Sequence, residues 1–221
     1  MIDAKIPSPE ERGRAPPPRA RGRPRTFDRD AALGQAVRLF WRKGFEATSM
    51  ADLTAAMGIG APSLYAAFGS KEALYAEALG HYQKNFGQLT WGRFDAAATA
   101  KAAVAGLLMD SAAALTGCEP GAPKGCMLTL SSIDRDDHAQ LCEAVRASRS
   151  AVLDRLVARF ARAVADAEIA ATVDLRALAR FVQTVQNGMS ILARDGATRA
   201  ELEGVARVAM ASWDATLRAG N

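Results

Sequence analysis

With 221 residues, 49% of them apolar, the chain can bury a substantial core in one or two domains. Few segments alternate as strands do and no apolar run reaches the ~18 residues of a membrane span, so the composition predicts an all-α fold and excludes a helical membrane protein. The formal net charge is +4, and residues 1–27 carry seven basic and three acidic side chains while the rest carries 21 of each. A neutral body with a basic arm suggests a tail that reaches a phosphate backbone, not a generally sticky polycation. The N-terminus is polar and proline-rich with no signal-peptide core, so a cytoplasmic protein is expected.

Residues 1–24 contain Pro7, Pro9, Pro16, Pro17, Pro18 and Pro24 and almost no large apolar side chains. They cannot offset their ordering entropy by burial, so a disordered basic arm is expected. Within it Arg21-Gly22-Arg23-Pro24 is similar to the core of an AT-hook. Glycine lets such a backbone lie flat in a narrow A·T minor groove while Arg21, Arg23 and the nearby Arg25 follow its negative potential. A solvated basic tail is the alternative. A first helix is expected over 28–43, capped by Asp28, with Leu33, Val37 and Phe40 on the buried face. Gly44 ends it and Phe45 folds back on the core.

The next stretch, 48–67, reads as two short helices joined by a tight turn. Ser49 and Asp52 stand at capping-box spacing, and Leu53, Ala56 and Met57 recur at helical period. Gly58 can end the helix in the left-handed conformation, and Pro62 falls in the first turn of the next helix, where its missing N–H costs little. Leu64 and Phe68, four apart, face a core, while Ala61, Pro62, Ser63, Tyr65, Ala66 and Ala67 are the outward candidates. This is the layout of a helix-turn-helix, whose second helix enters the DNA major groove. Ser70 then caps a fourth helix, in which Leu74, Ala78, Tyr82 and Phe86 follow at fourfold spacing.

The run Leu39-Phe40-Trp41-Arg42-Lys43-Gly44-Phe45, the start Thr48-Ser49-Met50, and the series Leu64, Tyr65, Phe68, Lys71, Glu72 and Leu74 resemble the N-terminal domain of TetR-family transcriptional regulators over residues 28–85. The resemblance implies a homodimeric, DNA-binding regulator, most often a repressor released from double-stranded operator DNA by a small-molecule inducer. It implies a helix-turn-helix domain over 25–85 and a ligand-binding and dimerisation domain over 86–221. Thr48, Ser49, Ala61, Pro62, Ser63, Tyr65 and Lys71 would contact DNA. Many relatives carry lysine at the Ala61 position and a larger side chain at Ala67. With alanine at both, base-edge contacts look thin and DNA shape and the arm would supply more.

Further helices are expected at about 96–116, 126–133, 137–166, 174–194 and 199–218, with a loop over 117–125 and a Thr198-x-x-Glu201 capping box. Leu175, Leu178, Val182, Val185, Met189 and Leu192 recur with coiled-coil spacing, and Leu202, Ala206, Ala209, Trp213 and Leu217 match them. These stripes can form either an oligomer surface or the chain's own core. Leu107, Leu108, Met127, Phe160, Phe181 and Met189 are candidate walls of an apolar ligand pocket, and equally candidate core residues.

Three cysteines and two histidines are the other reactive candidates. Cys118 and Cys126 flank the glycine-proline loop and could form a redox pair, or Cys126 could be a small buried apolar residue. His138 and Cys142, with Cys126, would give three metal ligands, though no CxxC is present. No GxSxG, P-loop or HExxH appears. A helical enzyme would depend on a reactive Cys126 alone, so no catalytic residue and no cofactor is expected.

Overall fold

A computed structural model describes residues 28–117, 121–133, 137–213, 215 and 217. Among the described residues all regular structure is helical. The basic arm with Arg21, Arg23 and Arg25, and the loop residue Cys118, lie outside the described residues.

Helix α1 (Arg29–Lys43) starts where the Asp28 carboxylate accepts the Ala31 N–H and ends at Gly44, whose φ is 80°. It buries Leu33, Val37, Phe40 and Trp41. Helix α2 (Met50–Met57) opens with the expected capping box. The Ser49 hydroxyl accepts the Asp52 N–H while the Asp52 carboxylate accepts the Ser49 N–H, satisfying two otherwise orphaned donors. Gly58 at φ 68°, ψ 30° closes α2 in the left-handed region that favours glycine. Helix α3 (Ala61–Phe68) follows, with Pro62 in its first turn.

Helix α4 (Lys71–Ala96) runs unbroken for 26 residues, about 39 Å at 1.5 Å per residue. It is longer than the sequence reading, which followed it only to Phe86. Its extra turns are held from outside: the Arg155 guanidinium lies 4.3 Å from the Trp91 ring centroid and pairs with Asp95, and Phe94 is buried. Helix α5 (Ala100–Leu115) comes next, then a single turn, α6 (Met127–Leu130). The sequence places a helix over 126–133 here. It stops early because the carbonyls that would continue it are taken. The Arg149 guanidinium donates to the carbonyls of Leu128, Thr129 and Ser131. Helices α7 (Ala139–Ala165), α8 (Leu175–Arg194) and α9 (Arg199–Ala211) complete the order, the last opened by the Thr198–Glu201 capping box.

Two apolar clusters organise the molecule. One joins α1, α2, α3 and the first half of α4 with Met127, Leu128, Leu141 and Val145. The other joins α5, α7, α8 and α9 around Phe94, Leu107, Leu156 and Phe160. Cys126 touches both. No helix among the described residues is long and apolar enough to cross a membrane.

The two sequence stripes on α8 and α9 are mostly core. Leu178, Val182, Met189, Leu202, Ala206, Ala209 and Trp213 are buried within this one chain. Of the stripe residues Leu192 is exposed, and off the stripe so are Phe181 and Ile191 on α8 and Val208, 74% exposed, on α9. Amphipathic spacing marks the strongest apolar face of a helix, and here that face closes the chain's own core.

Candidate nucleic-acid interface and internal cavity

α3 is held by its inner face and presents its outer one. Leu64 and Phe68 are buried, whereas Ala61, Pro62, Ser63 and Ala66 are exposed and Tyr65 is 50% exposed. A clamp at the far end fixes its direction. The Arg29 guanidinium lies 4.5 Å from the Phe68 ring centroid, donates to the Ala67 carbonyl at 3.2 Å and pairs with Glu77 at 2.8 Å. One side chain of α1 thereby ties the end of α3 to α4 and half-buries Ala67, which the sequence placed outward. Behind the turn, Phe40 and Phe45 stack with centroids 6.4 Å apart, and each meets Tyr75 edge to face, at 4.8 and 5.2 Å.

The remaining interface candidates divide. Ser49 is exposed, but its hydroxyl serves the α2 cap. Thr48 requires a correction: its residue is 0% exposed and its hydroxyl donates to the Gly44 carbonyl at 2.6 Å. Its side chain closes the α1–α2 turn and is not presented at the surface. Lys71 opens α4 with its ammonium 4.2 Å from the Phe45 ring centroid, half-buried. Lys43 pairs with Asp52 at 2.9 Å, joining the end of α1 to the start of α2. The Ser49 N–H, the Lys43 ammonium and the Ser49 hydroxyl together hold the Asp52 carboxyl down at about 2.

A cavity of about 340 Å³ lies between the two clusters. Its walls include Trp41 of α1, Tyr82 and Phe86 of α4, Cys126 beside α6, and Gln183, Gln186 and Asn187 of α8. The six apolar pocket candidates fall elsewhere. Leu107, Leu108, Phe160 and Met189 are buried in the second cluster, Met127 in the first, and Phe181 is exposed. Apolar side chains at helical spacing mostly fill cores, while the α8 wall of the cavity is made of the amides Gln183, Gln186 and Asn187, which such spacing does not select. A signal did exist: Gln183, Gln186 and Asn187 stand at i, i+3 and i+4, on one face of the helix.

The reactive candidates do not assemble a metal site. Among the described residues no group of three His, Cys, Asp or Glu is placed to hold an ion. His138 instead packs on Phe45 at 4.8 Å and sits 3.4 Å from Glu72, and the Cys142 thiol lies 3.5 Å from the Ile133 carbonyl. Cys126 is half-buried, and its N–H donates to the Ser190 hydroxyl at 2.8 Å.

Residues 32–78, which span α1, α2, α3 and the start of α4, match the family model of bacterial regulatory proteins of the tetR family. The HTH-type transcriptional repressor ComR of Escherichia coli K12 is 37% identical over 202 residues, covering 88% of this chain and 93% of ComR. The chain belongs to the TetR family. Its helix-turn-helix and helical body are those of a DNA-binding transcriptional regulator. The repressor BdcR of the same organism is 50% identical over 64 residues, 29% of this chain. Among solved structures, a cysteine mutant of the TetR-family regulator CifR in complex with 26-base-pair operator DNA superposes with a TM-score of 0.81. That pair is 39% identical, over 87% of this chain and all of CifR. The TetR-family likeness thus covers the helical body as well as the helix-turn-helix.

Proposed function

We propose that this TetR-family protein is a cytoplasmic homodimeric repressor that reads operator DNA with α3 and releases it when a small molecule enters the cavity. The observation that carries the reading is α3 itself, clamped by Arg29 and presenting Ala61, Pro62, Ser63 and Tyr65 outward. Small apolar groups can meet a thymine methyl, Ser63 can donate or accept, and the tyrosine hydroxyl can reach a phosphate oxygen. Lys71 and the basic arm with Arg21, Arg23 and Arg25 supply sequence-independent attraction. CifR, similar along most of the chain, was solved on operator DNA.

The dimer reading rests on the exposed side of the last two helices. Phe181, Val185, Gly188 and Leu192 lie on one face of α8, and a Cβ at Gly188 would meet nothing within 4 Å. On α9, Gly204, Val208 and Ala211 share a face at spacings of four and three. Large side chains beside glycines allow two copies to approach closely, and a twofold axis there would present two α3 helices to half-sites about one helical turn, ~34 Å, apart.

Fluorescence anisotropy tests the DNA reading, using the duplex upstream of the protein's own coding region across a salt series. Specific binding is expected, weakened at least tenfold by Tyr65→Ala, with a shallower salt slope after deletion of residues 1–25. Binding no tighter than to random duplex, together with no enriched site in a genome-wide selection, would overturn it.

A further inference from the structure

Among the described residues, Arg149 and Arg155 are the charged side chains in the cavity wall, and both are committed. Arg149 donates to the carbonyls of Leu128, Thr129 and Ser131. Arg155 pairs with Asp95 and lies 4.3 Å from the Trp91 ring centroid. A cation entering the cavity would lose its hydration beside two guanidiniums with no carboxylate among the described residues of the wall, and an anion could reach Arg149 only in competition with the three carbonyls it already holds. The α8 amides are only partly used. Gln186 donates to the Ser111 hydroxyl, and Asn187 accepts from the Thr129 hydroxyl at 3.1 Å. The Gln186 carbonyl oxygen and the Asn187 amide N–H stay open for one polar group of a ligand. At about 340 Å³, the space lies at the small end of small-molecule sites.

One wall of this cavity belongs to α1, which packs against the helix-turn-helix in the first cluster. Trp41 is the last buried residue of α1 and packs on Tyr82 and Phe86 with centroids 4.9 and 5.2 Å away. Its indole N–H donates to the Gly125 carbonyl at 2.9 Å, a buried bond across 84 residues. Gly125 has little freedom to follow passively. Its N–H donates to the Leu115 carbonyl, its φ is 78°, and a Cβ there would sit 2.6 Å from Leu130 Cδ1 and 2.8 Å from the Ser190 carbonyl oxygen. The backbone end of α1 is held from α8 as well, where Arg194 donates to the carbonyls of Trp41 and Arg42. Cavity wall and α1 are therefore one bonded unit.

Resting on the effector reading above, we infer that the cavity selects an uncharged, largely apolar molecule with one hydrogen-bonding group at the Gln186–Asn187 end, and that Trp41 passes its presence to α1 through the Gly125 bond. A ligand that displaces the indole or the Gly125–Cys126 turn shifts the end of α1, and α3 moves with it through the Arg29 clamp. The effect is a difference in affinity between the DNA-bound and ligand-bound arrangements.

The test uses three matched probes on the full chain: 2-phenoxyethanol, phenoxyacetate and 2-phenylethylammonium. Calorimetry should show the alcohol binding at least tenfold tighter than either ion. Asn187→Asp keeps an acceptor for Thr129 but adds a carboxylate, and should bring the cation's affinity above the alcohol's. Saturating alcohol should release the upstream duplex from wild type. In Trp41→Phe the alcohol and duplex affinities are each measured alone, and the factor by which saturating alcohol weakens duplex binding should fall at least tenfold below that of wild type. An ion binding as tightly as the alcohol, no binding of the alcohol, or an unchanged order in Asn187→Asp overturns the ligand class. Absence of release from wild type, or an undiminished factor in Trp41→Phe, overturns the Trp41 route. Loss of duplex binding by wild type before any probe is added would instead count against the DNA reading itself.

Discussion

Asp52 joins three groups at the start of α2. Its carboxylate takes the Ser49 N–H and hydroxyl and pairs with Lys43. With a folded-state pKa of about 2, it lies below the ordinary aspartate value near 3.9. A depressed carboxylate contributes stability that is fully present above the unfolded value and is lost as pH falls through the folded one. An NMR titration of the side-chain carboxyl should therefore place its midpoint near 2, with the contribution fading between about pH 4 and pH 2. Ser49→Ala removes the hydroxyl and should raise that midpoint while costing about 1 kcal/mol in urea unfolding, typical of a lost N-cap. An unchanged midpoint would mean the hydroxyl adds nothing to the cap. At this scale local rules were informative: Asp28, Ser49, Asp52, Gly58 and Thr198 act as their spacing predicts. Thr48 was not legible, because a hydroxyl's choice between surface and the Gly44 carbonyl depends on a turn only the folded chain forms.

At the scale of elements, α3 was legible because its two faces differ so sharply. Leu64 and Phe68 at fourfold spacing fix the inner side, and the rest follows by geometry. α8 was harder, since it has three demands on one cylinder: Leu178, Val182 and Met189 close the core, Gln183, Gln186 and Asn187 wall the cavity, and Phe181 and Leu192 stay exposed. Sequence periodicity reports the sum of these and names only the largest. The exposed face carries the dimer proposal. Sedimentation velocity should show Phe181→Glu with Leu192→Arg shifting the protein to monomer, with helical content retained because both side chains lie outside the core. A variant that stays dimeric would move the interface to another face.

For the whole molecule, the all-helical order and the break positions followed from caps, glycines and prolines. The junction did not. The Trp41–Gly125 bond spans 84 residues, and the Arg149 contacts that shorten α6 come from a helix still to follow. Such long-range contacts have no local pattern to announce them, and the cavity exists only because the two clusters fail to fill the space between them. The central claim is that two α3 helices enter the major groove of one duplex. Dimethyl sulfate protection on the upstream duplex tests it most directly, because the reagent modifies guanine N7 in that groove. Two protected guanine patches about ten base pairs apart are expected, both lost in Tyr65→Ala at equal protein concentration. A bound duplex with no guanine protection, or with a single patch, would contradict it.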